Sequence, residues 1–280
     1  IIVLLSLLPG PCPAQEKTFR VEVLQATAIQ ELQDVFDGFL GELGKNGLAQ
    51  GRNLQVKRTI IDFDMEKGTW SAKLKAYWKI RGEAARIAGE KPDLVLTMGM
   101  PVTYYARDRI VAAGIPLVFT AVADPVRIGC RSLTEAGAGF TGSTTRMDMK
   151  EALTLVRTAL PGVRTLGLVH SEYSGSSNHV EDALKEGRAA GFAFVVEKAK
   201  MNASITPLLR ELKEAGAQAF VVPSDPYYGV RNYEAAKELA RFSKEEKIPV
   251  VSFVEDRFRG SVLDVFVDFG RIGALAGSQA

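Results

Sequence analysis

The sequence predicts an α/β protein built from two doubly wound parallel-sheet lobes joined by a hinge, on three observations. Short apolar or β-branched runs alternate with longer amphipathic stretches along almost the whole chain. Several of these short runs are continuously apolar, as strands covered on both faces by crossover helices require. The second half of the chain also repeats the order of the first, including the polar residues that close its strands.

Composition sets the outer bounds. The chain has 280 residues, 46% hydrophobic and 24% charged, enough for two domains of ordinary size. Thirty-five Lys and Arg against thirty-three Asp and Glu leave a net charge of +2 without a basic cluster dense enough to track a phosphate backbone, so nucleic acid is not an expected partner. Cys12, Cys130, His170 and His179 are too few for a disulfide framework or a four-ligand zinc site, and no metal or cofactor is expected. Cys130 reads as a small buried hydrophobe.

The elements follow in order. Residues 1–14, an apolar run ending in Pro9-Gly10-Pro11-Cys12-Pro13-Ala14, read as the remnant of a signal peptide, with a mature start near Gln15 and export as the consequence. A lipid-bearing Cys12 is the alternative, with Gly10-Pro11 a poor match to the usual lipidation box. The first lobe, 15–143, has strands over 19–25, 54–62, 94–98 and 117–122. Its helices are expected over 29–45, 70–89 and 101–113, with Pro101 suited to a first helical turn. Trp70 and Trp78, about two helical turns apart, read as packing or surface anchors. The Gly-, Ser- and Thr-rich stretch 130–143 reads as the hinge.

The second lobe, 144–254, has strands over 165–170, 192–198, 219–223 and 250–254, with helices over 147–160, 177–190, 205–215 and 228–244. Residues 255–280 are expected to return to the first lobe and open a helix at Gly270, with a further C-terminal segment beyond Ala280. The internal echo is strongest between Lys91 to Asp124 and Gly216 to Glu255. Ligands of such folds sit outside the carboxyl ends of parallel strands, so a cleft between the lobes is the expected site.

A set of short motifs recurs in order. It comprises Gly38-Phe39, Gly47, Gly51-Arg52-Asn53, Gly99 with Pro101, Ile115-Pro116, Asp124-Pro125-Val126 and Phe140-Thr141-Gly142. Leu160-Pro161, Pro223-Ser224-Asp225, Ile248-Pro249 and Asp268-Phe269 with Gly270 and Gly273 complete it. In this order and spacing the chain resembles the ABC-transporter substrate-binding proteins of the tryptophan and aromatic amino-acid uptake type, a branch of the type I periplasmic binding proteins. The resemblance implies an exported, monomeric receptor whose hinged lobes close on a small solute. It also implies delivery of that solute to an ABC permease and its ATPase, with an aromatic or large apolar amino acid as the leading ligand.

For an amino-acid zwitterion the site needs N–H donors for the carboxylate, an acid for the ammonium and an apolar slot. Thr97, Gly99 and Met100, with Pro101, stand at the helix start that would hold the carboxylate. The family usually carries a hydroxyl and small residues here, whereas this chain has Met98, Met100 and Val102. Asp225 matches the family's acid for the ammonium. Pro226 replaces its usual Asn, leaving Tyr227 and Tyr228 to supply a ring or hydroxyl. Thr27, Asp124, Tyr173, Ser174 and Glu255 complete the rim. No catalytic residue is expected, since Walker A, G-x-G-x-x-G and nucleophile-elbow patterns are missing from the sequence. Asp62-Phe63-Asp64 is the one metal-like pair that an enzyme reading would use, and an envelope ligand sensor is the remaining alternative.

Overall fold

The computed structural model describes residues 17–62, 70–172, 174–254 and 260–280, and it divides into two compact units. Unit 1 runs to Thr145 and takes up Phe269–Ala280, and unit 2 is Arg146–Asp268.

In unit 1, β1 (Phe19–Gln25), β2 (Leu54–Ile60), β3 (Leu94–Met98), β4 (Leu117–Val122) and β5 (Phe140–Thr144) form one sheet in the order β2-β1-β3-β4-β5. Every neighbouring pair is parallel. α2 (Trp70–Glu90) packs with α3 (Met100–Ala112), while α1 (Gln30–Lys45) packs with α8 (Phe269–Ser278). The spacing of Ile80, Ala84 and Ile87 on α2, and of Val102, Ala106 and Ile110 on α3, gives each helix one apolar stripe. Both stripes join the core that contains Leu24, Val95, Leu117 and Phe119.

The expected hinge over 130–143 is corrected in part, because β5 begins inside it as an edge strand. Its Gly-Ser-Thr composition reads as linker for a packing reason. A Cβ on Gly142 would stand 2.1 Å from the Phe119 carbonyl oxygen, so this strand lies against β4 only with glycine there.

Unit 2 contains β6 (Thr165–Ser171), β7 (Ala193–Ala199), β8 (Ala219–Val222), β9 (Val250–Ser252) and β10 (Leu263–Asp264), in the order β10-β9-β8-β6-β7, again all parallel. Its helices are α4 (Met149–Ala159), α5 (Ser174–Ala189), α6 (Thr206–Glu214) and α7 (Val230–Glu246). Side chains alternate across the sheet as the strand period demands. Val169, Phe220, Val222 and Val250 join Leu209 and Leu212 of α6 and Leu239 and Phe242 of α7. Leu166, Leu168, Ala219, Val221 and Val251 join Leu153 and Val156 of α4. Read from β7, the strand order is that of unit 1 read from β2, so the sequence echo is a repeat of topology.

The return segment also differs from expectation. β10 extends the sheet of unit 2, and among the described residues of the segment Phe269 onward belongs to unit 1.

Candidate functional site

In a doubly wound sheet the strand order reverses at one point, and the two helices leaving there go to opposite faces and open a crevice at the strand ends. In unit 1 that point lies between β1 and β3, and in unit 2 between β6 and β8. Thr27 follows β1, Gly99 and Met100 follow β3, Ser171 ends β6, and Asp225 follows β8.

At the unit 1 switch point, β3 turns directly into α3 through Gly99, whose φ of 102° is the left-handed region that suits glycine. A Cβ there would meet the Ala26 Cβ at 3.0 Å, across the gap where β1 ends. The Gly99 N–H donates to the Thr120 carbonyl at 2.9 Å, and the Thr103 hydroxyl lies 2.9 Å from both the Thr97 hydroxyl and the Gly99 carbonyl. Thr97 is fully buried. Thr97 and Gly99 thus build the helix start with groups already bonded inside the unit. The orphan donors of the first turn belong to Met100 and Val102, because Pro101 has no N–H.

Sequence reasoning missed the brace beneath Thr27. Gln25, fully buried at the end of β1, donates its side-chain amide to the Thr27 carbonyl at 2.6 Å and accepts from Arg58 Nε at 2.7 Å. Arg58 also donates to Gln33 at 2.8 Å and lies 4.2 Å from the centre of the Phe36 ring. Burial lowers the Arg58 guanidinium from its ordinary value, opposed by the charge of Asp37. These partners are 33 and 25 residues apart in sequence, and no local motif announces them. Asp124 is half-buried, and its Oδ1 accepts the Arg127 N–H at 3.2 Å, which caps the turn after β4.

In unit 2 the central group is Asp225, only 6% exposed. Its carboxylate accepts the Ser171 N–H at 2.7 Å, the Tyr227 N–H at 2.9 Å, and the Ser171 hydroxyl at 2.9 and 3.0 Å on its two oxygens. Among the described residues three donors hold this carboxylate, with the Ser171 hydroxyl shared between its two oxygens.

Tyr227, expected beside a ligand, is fully buried in the core with α6 and α7. Its hydroxyl donates to the Ala203 carbonyl at 2.9 Å. Tyr228 likewise donates to the Val169 carbonyl at 3.0 Å. The 3-10 turn over Pro226–Tyr228 carries both rings into the core. Burial pushes the Tyr227 hydroxyl up to about 12 and that of Tyr228 well above 10.

Ser174 opens α5, but its side chain, with Tyr173 and Glu255, lies outside the described residues. Asp62 is exposed and Asp64 lies outside them as well. Among the described residues, no group of three His, Cys, Asp or Glu side chains could hold a metal ion.

The sequence model of the family described as "ABC transporter substrate binding protein" matches residues 21–280. The chain belongs to that family. This is a solute-binding family rather than an enzyme family. A relative, the tyrosine-binding protein of Clostridioides difficile strain R20291, is 22% identical over 272 residues, covering 95% of this chain and 72% of its own length. Among solved structures, a ligand-free, open substrate binding protein with adhesive properties from Clostridium difficile superposes with a TM-score of 0.75 at 21% identity. That match covers 94% of this chain and 83% of the other. An ABC domain from Streptococcus pneumonia in complex with L-Trp gives 0.65 at 17% identity, with the same coverage of each chain. At these identities the structures show a shared fold.

Proposed function

We propose that the protein is the exported solute receptor of an ABC importer, that its ligand is an aromatic or large apolar amino acid, and that Asp225 accepts the ligand's ammonium. One observation carries the reading: at the switch point of unit 2 a buried carboxylate is held in place by the Ser171 N–H and hydroxyl and the Tyr227 N–H. A charge-assisted bond to a primary ammonium suits such a group. At the switch point of unit 1, the N–H of Met100 at the start of α3 is a donor of the kind a carboxylate needs. The tyrosine-binding relative and the L-Trp complex support the choice of an aromatic side chain. Binding as a monomer and handing the solute to a permease driven by its ATPase complete the role, alongside export to the envelope.

Isothermal titration with tyrosine, tryptophan and phenylalanine tests this directly, with N-acetyltyrosine and 3-(4-hydroxyphenyl)propionate as ligands that lack the ammonium. Binding of the free amino acids, with loss of both analogues, is the expected result. Equal affinity for the propionate removes the ammonium contact, and silence toward every amino acid removes the ligand class. Asp225→Ala should cost about 2–4 kcal/mol of affinity.

A further inference from the structure

The α2–α3 surface of unit 1 carries chemistry that solute binding does not use. Trp70, Leu74 and Trp78 recur every fourth residue on α2 and are 80%, 44% and 62% exposed. They form a row about 12 Å long on one side of the helix. Both tryptophans of the chain are in it. Tyr77 extends the row toward α3, meeting Trp78 edge-on at 5.2 Å and Tyr105 at 5.0 Å, and Tyr105 meets Tyr104 in turn at 5.0 Å.

Along α2 the charges before Glu83 are of one sign. Lys73, Lys75, Lys79 and Arg81 precede the first acid of α2, Glu83. A groove of about 510 Å³ between the helices is lined by Tyr77, Tyr104, Tyr105, Arg81, Arg107 and Arg109, and its one acid, Asp108, is already paired with Arg107. The Arg81 guanidinium lies 5.7 Å from the centre of the Tyr77 ring.

We infer that this face docks on an anionic lipid bilayer. Indole and phenol rings are amphipathic and settle at the headgroup level, while lysines and arginines beside them meet the lipid phosphates. An aromatic row flanked by cations matches that layered surface in both polarity and charge. Among the described residues no helix is long and apolar enough to cross a membrane, so the contact is interfacial. The surface lies on α2 and α3, and its function does not depend on the identity of the solute.

Because Trp70 and Trp78 are the two tryptophans of the sequence, selectively excited tryptophan fluorescence reads this face. Vesicles of phosphatidylglycerol in phosphatidylcholine should shift the emission to the blue and carry the protein down on sedimentation. Pure phosphatidylcholine vesicles should do neither, and added salt should reverse the effect. Lys73→Glu with Lys75→Glu should weaken partition at least about 30-fold, at about 1 kcal/mol per cation. An unchanged thermal midpoint shows that this variant is folded, and Trp70→Ser with Trp78→Ser gives a second test by sedimentation. No anionic preference, full retention by the charge variant, or a concentration-dependent blue shift without vesicles, which marks self-association, each overturns the assignment.

Discussion

At the scale of the residue, the bracing role of Asp225 needs to be measured apart from its proposed contact with the ligand. Its carboxylate accepts the Ser171 and Tyr227 N–H groups in a site with almost no solvent, so removing it takes away the acceptor that these buried donors use. Asp225→Ala should therefore lower unfolding stability by about 2–4 kcal/mol, in addition to any loss of ligand affinity. Ser171→Ala keeps the backbone donor and removes only the hydroxyl, and should cost about 1–2 kcal/mol. Urea denaturation of both variants checks this, and a stability loss for Asp225→Ala no larger than that for Ser171→Ala would end the bracing role. Affinity is then measured where each variant is fully folded. The acid was legible in Pro223-Ser224-Asp225. Its partner was not recognised as such, because Ser171 lies 54 residues away and the pairing exists only once β6 and β8 are adjacent. The Gln25–Arg58 brace escaped for the same reason, and Tyr227 was misjudged because a sequence does not tell which side of a short turn a ring takes.

At the scale of the element, the start of α6 shows how one helix completes another. Ile205 at its N-cap offers no capping side chain, and Glu238 of α7 takes over the work. One oxygen of Glu238 accepts the Ser204 and Thr206 hydroxyls at 2.6 and 3.0 Å and the Ile205 and Thr206 N–H groups at 3.0 and 3.2 Å. Burial disfavours the charged form, but these bonds together outweigh it and hold the carboxyl below its ordinary value of 4.5. A carboxyl with a lowered value in the fold stabilises above its unfolded value, and that contribution fades as the pH falls through the folded value. Glu238→Ala should cost about 1 kcal/mol near neutral pH. The gap from the parent protein should narrow below pH 4.5 in urea midpoints taken across pH, and a constant gap would rule out the charge as its cause. The elements themselves were largely legible, since long amphipathic helices and continuous apolar strands carry strong periods. β5 and β10 were the exceptions, the glycine of β5 being demanded by contact with β4 rather than by a turn.

At the scale of the whole molecule, unit 1 is completed by chain that arrives after unit 2. α8 lies along α1 so closely that a Cβ on Gly273 would stand 2.0 Å from the Val35 carbonyl oxygen, and one on Gly38 would stand 2.1 Å from that of Gly270. Gly38, Gly270 and Gly273 belong to the motif set visible in the sequence, but their physical meaning, two backbones meeting without side chains, needs the fold. Because the obstacle to Gly273→Val is backbone, relief by a rotamer change is closed, and the substitution should destabilise unit 1 by at least about 3 kcal/mol. The two units have separate cores. Hydrogen exchange should therefore rise in α1, α8, β4 and β5 while residues of unit 2 keep their protection. Phe220→Ala, in the core of unit 2, provides the reciprocal case at about 3–5 kcal/mol and should leave unit 1 protected. Equal loss of protection in both units from either variant would mean that the molecule opens as one cooperative body, and that α8 secures the whole chain rather than the unit against which it packs.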